Sequence, residues 1–96
     1  DFYVNKNINN NSKYIKSNNT FILSQFFFEQ PHEIVFRSLS YLIRSISKKY
    51  YMPRGKNIEN LIDIVKSDKI DKGVTLGGCF IKRINKTTII SRENII

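Results

Sequence analysis

Pro31-His32-Glu33-Ile34-Val35-Phe36-Arg37-Ser38-Leu39-Ser40-Tyr41-Leu42-Ile43-Arg44-Ser45-Ile46, running on to Tyr50-Tyr51-Met52-Pro53-Arg54, is the stretch from which the fold is read. Val35, Leu39, Leu42, Ile43 and Ile46 recur at intervals of three and four. At about 100° per residue they gather into one apolar stripe, so the spacing predicts an amphipathic helix. Pro31 suits a first helical position, where its missing N–H has no partner to lose, and Glu33 sets a negative charge near the positive end of the helix dipole. Pro53 disfavours a helical Met52, and Gly55 permits unusual backbone angles, so the segment 50–55 is expected to leave the helix.

Opposite that stripe, Arg37, Arg44 and Lys48 are seven and four residues apart, and Tyr41 falls in the same sector. One reading is a nucleic-acid surface, with the cations on phosphates and the ring stacked on a base. The other is a solvated helix face.

A second helix is expected from about Lys56 to Lys66. Ile58, Leu61, Ile62 and Val65 form its buried stripe and Glu59 and Asp63 lie on its flank, which makes it a packing partner for the first. Ser67 to Gly73 reads as a polar turn. Val74 to Ile84 and Thr87 to Arg92 read as two strands around Asn85-Lys86, where Asn tolerates positive φ; Gly77-Gly78 interrupts the first as a bulge or a close backbone approach.

Toward the N-terminus, Asn9-Asn10-Asn11-Ser12 is expected to be a loop, because Asn and Ser favour turns over regular backbone pairing. Ser17-Asn18-Asn19-Thr20 turns a short hairpin between Tyr14-Ile15-Lys16 and Phe21-Ile22-Leu23. Alternatively the Asn-rich part is a linker and the domain starts near Lys13. Ser24 is placed to cap a helical turn carrying Phe26, Phe27 and Phe28. Three successive rings cannot all point one way, so at least one must find a second surface. The fold class is therefore α+β: two packed helices with one or two antiparallel β-hairpins, residues 1–20 forming a lead-in or linker with short strands and 21–96 the domain proper.

Ninety-six residues hold one modest core. The chain opens on Asp1, and is expected to be a piece of a larger protein. A net charge of +8 points to an anionic partner, although a chain crowded with Lys, Asn and Ile and lacking alanine owes part of that charge to composition. A single cysteine, Cys79, excludes an internal disulfide and fits a reducing, cytoplasmic setting. His32 is too isolated for a metal site or a catalytic base and is expected on the surface, with Cys79 a small buried strand residue. Nothing in the sequence approaches the roughly 20 apolar residues of a membrane span.

Glu29-Gln30-Pro31-His32-Glu33-Ile34-Val35-Phe36-Arg37, then Tyr51-Met52-Pro53-Arg54, Thr75-Leu76-Gly77-Gly78-Cys79 and Arg92-Glu93 follow one another in an order that resembles bacterial tRNA(Ile)-lysidine synthetases, in the region C-terminal to their PP-loop catalytic domain. The likeness covers about residues 21 to 93. Met52 stands where the family pattern has a first proline, and Ser47-Lys48-Lys49 where small residues are common. The ATP-binding Ser-Gly-Gly-x-Asp-Ser motif does not occur in this sequence.

The resemblance implies a parent enzyme that uses ATP to adenylate the wobble cytidine of a tRNA(Ile) with a CAU anticodon and then joins lysine to it. This chain would be a non-catalytic tRNA-docking part beside the catalytic domain, itself holding no cofactor. Arg37, Arg44, Lys48 and Lys49 would then meet phosphates, Tyr41 a base, Arg54 and Lys56 the backbone near the exit loop, and Lys82 and Arg83 would add charge from the hairpin. The alternative is a structural module that packs on the catalytic domain or on a second copy through Phe26, Phe27, Phe28 and Tyr50, without RNA contact. Ile95-Ile96 ends the chain apolar, as a truncated strand would.

Overall fold

The computed structural model describes residues 1–47, 53–67 and 73–93. The readings that rest on Lys48, Lys49, Tyr50, Tyr51, Met52, the middle of the 67–73 turn and Ile95-Ile96 lie outside the described residues. Among the described residues, three α-helices, α1 (Phe2–Asn11), α2 (His32–Ser47) and α3 (Gly55–Lys66), accompany five strands, β1 (Ser12–Ile15), β2 (Thr20–Leu23), β3 (Val74–Leu76), β4 (Cys79–Ile84) and β5 (Thr87–Arg92). The α+β expectation holds, with three helices rather than two and the hairpins merged into one antiparallel sheet of order β1-β2-β5-β4-β3.

The stripe on α2 is buried as its spacing requires. Val35, Leu42, Ile43 and Ile46 are wholly inaccessible and Leu39 is 1% exposed. Each such side chain contributes roughly 1.5–3 kcal/mol of transfer free energy. Ile58, Leu61, Ile62 and Val65 of α3 join the same core. Directly paired residues of antiparallel strands share a face, so the register aligns Tyr14, Phe21, Ile90, Ile81 and Val74 in one row across all five strands. Phe21, Val74, Ile81 and Ile90 of that row belong to the helix-side core or pack against it.

Several local expectations need correction. Residues 9–11 are helical, not a loop. Asp1 caps α1 through its carboxylate, which accepts from the N–H of Tyr3 at 2.8 Å and of Val4 at 3.4 Å, and Ser12 closes it by donating from Oγ to the Ile8 carbonyl at 2.6 Å. The weak helix propensity of Asn is overridden by Asn7, only 3% exposed. Its Nδ2 donates to the Phe27 carbonyl at 3.3 Å and to Ser38 Oγ at 3.2 Å, and its Oδ1 accepts from Asn11 Nδ2 at 2.9 Å.

Pro31 stands one residue before α2, its carbonyl accepting from Ile34 and Val35. Ser24 precedes the 3-10 turn Gln25–Glu29 without a side-chain capping bond. Phe27 and Phe28 enter the core while Phe26 stays 53% exposed, which is the surplus ring anticipated from the sequence.

Gly77-Gly78 ends β3 and turns the chain into β4 instead of bulging a single strand, with φ of +59° and +82°. The close approach is present as well: a Cβ on Gly77 would stand 2.7 Å from Pro53 Cγ and 3.1 Å from Ile43 Cγ2. Asn85 takes φ of +56° in the β4–β5 turn, as its side chain permits. Gly77→Ala is expected to destabilise the fold by about 1–3 kcal/mol through positive φ and overlap together, read as a lowered denaturation midpoint at unchanged m-value.

Candidate nucleic-acid interface

Because the apolar stripe fixes the rotation of α2, the opposite face is fixed too. Arg37, Tyr41 and Arg44 are all exposed along it, at intervals of four and three residues, with Tyr41 58% accessible. Arg37 is held rather than loose: its Nε donates to Glu33 Oε1 at 2.7 Å and its Nη1 lies 3.8 Å from Asp1 Oδ2. Both contacts are solvent-exposed and worth little in stability. Arg44 makes no ion pair among the described residues. Ser45 Oγ returns a bond to the Tyr41 carbonyl at 2.9 Å.

Arg54 and Lys56 sit together at the start of α3, both exposed. The Arg54 carbonyl accepts from Asn57 and Ile58 and thereby starts the helix, while no side-chain cap is made. Two cations at the positive end of a helix dipole oppose helix formation by a few tenths of a kcal/mol each, so helix stability does not account for them.

Lys82 is carried elsewhere. Its register with Ile89, Ile22 and Lys13 puts it on the sheet face turned away from the helices, apart from the α2 line. Arg83, one residue on, points to the helix side. There its Nη1 donates to the Val65 carbonyl at 2.7 Å and its Nε to the Asn85 carbonyl at 3.2 Å, tying the C-terminus of α3 to the β4–β5 turn. The structure thus unites Arg37, Tyr41 and Arg44, places Arg54 with Lys56, and separates Lys82 and Arg83 from both.

His32 and Cys79 occupy structural positions. His32 Nε2 lies 2.7 and 2.8 Å from the two carboxylate oxygens of Glu59, a surface tie between α2 and α3. Cys79 is fully buried and its Sγ lies 3.5 Å from the Ile43 carbonyl. Among the described residues, no group of three or more His, Cys, Asp or Glu is placed to hold a metal, and no helix is long and apolar enough to cross a membrane.

Two concavities were not foreseen. One, of about 650 Å³, gathers Lys66, Arg83 and Lys86 with Gln25, Glu29 and Gln30. The other, of about 660 Å³, runs between α1 and the start of α2, with Tyr3, Lys6, Asn10 and Asn11 on one wall and Gln30 and Ile34 opposite. The second was hidden by reading residues 9–11 as a loop. Once α1 is a helix, positions 3, 6, 7, 10 and 11 fall on one face by the i, i+3, i+4 rule.

Compared with known proteins, the chain is 35% identical over 68 residues, 71% of its length, to the tRNA(Ile)-lysidine synthase of Wolbachia sp. subsp. Brugia malayi (strain TRS). It is 31% identical over 68 residues to the tRNA(Ile)-lysidine synthase of Wolbachia pipientis wMel. Each match takes in 16% of the relative, so the chain spans about a sixth of the length of these curated proteins. No family model matches, and no solved structure matches significantly.

Arg83→Gln is expected to lower stability by about 1 kcal/mol, by loosening the end of α3 from the β4–β5 turn. Urea denaturation reads the loss, and faster amide exchange at residues 64–67 localises it.

Proposed function

We propose, for a chain that is a sequence relative of the tRNA(Ile)-lysidine synthases, that it serves its parent protein as a non-catalytic domain docking tRNA. The observation that carries this reading is the pair of matches to those synthases. Supporting it, Arg37, Tyr41 and Arg44 offer cations and an exposed ring along one rigid helix, a combination suited to a ribose-phosphate backbone with an adjacent base. Arg54 and Lys56 extend the contact at the start of α3, and Lys48 and Lys49 follow the α2 line in sequence.

In this reading the chain lies C-terminal to the catalytic domain of a cytoplasmic enzyme. That domain binds ATP, activates the wobble cytidine of tRNA(Ile) carrying a CAU anticodon and ligates lysine to it. The present chain takes no cofactor; its partners are the tRNA and the catalytic domain. Phosphate contacts fix the register of the RNA and leave sequence choice to other contacts.

A second reading is favoured by one specific observation. Phe26 stays 53% exposed beside two buried rings, and such a ring suits a protein neighbour, either the catalytic domain or a second copy of this chain.

Titration with an unmodified tRNA(Ile) transcript over a range of salt concentrations separates the two. Docking predicts affinity falling steeply with salt and a further loss of about tenfold or more on Arg37→Glu with Arg44→Glu, with a shallower salt slope. Salt-independent affinity, or reversal variants that bind as well as the wild type, would leave only the structural module.

A further inference from the structure

The groove between α1 and α2 has a composition that folding alone does not require. A helix laid against its neighbour ordinarily presents an apolar stripe along the seam. Here the groove-side face of α1 is Tyr3, Lys6, Asn7, Asn10 and Asn11, and Gln30 adds another carboxamide from the far wall. Only Asn7 is spent on packing, its amide fully engaged within the protein. The Asn10 side chain is exposed and makes no hydrogen bond among the described residues, so its amide donor and acceptor are both available. Asn11 uses its Nδ2 on Asn7, and Gln30 its Nε2 on the Phe26 carbonyl at 3.2 Å. Neither amide oxygen is consumed by those bonds.

Charge selects against a simple anion. The lining carries one cation, Lys6, and one carboxylate, Glu33, so its formal charges cancel. The groove is thus nearly neutral and combines carboxamide donors and acceptors with an aromatic ring and the apolar Pro31 and Ile34. Tyr3 is 64% exposed, and Phe2 braces it edge-on at 5.2 Å between ring centroids. A planar heterocycle with alternating donors and acceptors complements such a groove, because a carboxamide offers one of each in a plane and a phenol ring offers a stacking face.

From this we infer that the groove takes one unpaired nucleobase of an RNA, stacked on Tyr3 and read along its edge by Asn10, Asn11 and Gln30, with Lys6 at its phosphate. The inference rests on the docking role proposed above and adds to it the means by which a base is held. Continuity with the α2 line supports an RNA occupant. Glu33 lines the groove, Arg37 bonds to Glu33, and Tyr41 and Arg44 follow on the same helix face, so a backbone tracked along α2 arrives at the groove mouth.

The test uses the full-length protein with Tyr3→Ala, Tyr3→Phe and Asn10→Ala variants, and Arg44→Glu as reference. The ligands are single-stranded hexamers of A, C and U and a blunt RNA duplex, each titrated at several salt concentrations. Tyr3→Ala is expected to weaken single-strand binding about tenfold with the salt slope unchanged, because a stack is lost and no phosphate contact is. Tyr3→Phe should retain affinity, Asn10→Ala should flatten the differences among the three hexamers, and duplex binding should respond to neither alanine variant. Arg44→Glu should instead reduce the salt slope.

If Tyr3→Ala and Asn10→Ala bind every hexamer as the wild type does while Arg44→Glu still weakens binding, the groove inference is overturned and docking stands. Equal losses on single strand and duplex would also overturn it. Absence of salt-dependent binding by the wild-type protein to any of these RNAs or to tRNA would overturn the docking reading itself.

Discussion

The rotation of α2 about its own axis is the constraint from which most of the molecule follows. Five buried apolar side chains hold it, and three different neighbours register against it. Ser38 meets Asn7 of α1, His32 meets Glu59 of α3, and the Ile43 carbonyl lies against Cys79 of the sheet. Turning the helix by one residue would swing the apolar stripe about 100° and break all three contacts. The outward positions of Arg37, Tyr41 and Arg44 are therefore a consequence of core packing. A helix face placed in this way has its backbone fixed by the core, so a ligand bound there would order only the long side chains themselves.

Much of this was legible in the sequence because it depends on periodicity. The stripes of α2 and α3, the β1–β2 hairpin and the turn at Asn85 all come from local spacing or from a residue whose backbone preference is distinctive. The helix α1 was not legible, since its decisive residue is a buried asparagine satisfied by a carbonyl 20 positions away and a hydroxyl 31 positions away. No propensity scale encodes such a bond. The Gly77-Gly78 turn lay between the two: glycine signalled a departure from the strand, but only the partner strand shows that the chain reverses there.

The candidate site divides along the same line. Residues on one helix could be grouped from sequence, and the structure keeps them grouped. Lys82 and Arg83 could not, because neighbours in a strand point to opposite faces of the sheet. Arg83 illustrates how charge alone misleads. Its guanidinium closes the end of α3, where the carbonyls at the negative pole of the helix need donors. Arg83 is therefore spent on structure, and its hydrogen-bond partners reveal this where its charge does not.

The strand order β1-β2-β5-β4-β3 has a consequence for how the chain acquires its shape during synthesis. The first hairpin has no partner within its own half: β2 pairs with β5, joining Thr20–Leu23 to Thr88–Ser91. Until residues 88–91 have left the ribosome, the edge of β2 is unpaired and Leu23 lacks the neighbouring strand that flanks it in the finished core. Loop-closure entropy for that single pairing spans most of the chain, so it belongs to the slow class of folding events. A nascent chain halted before residue 87 would expose an open strand edge beside Phe27 and Phe28, the kind of surface on which chaperones and aggregation compete.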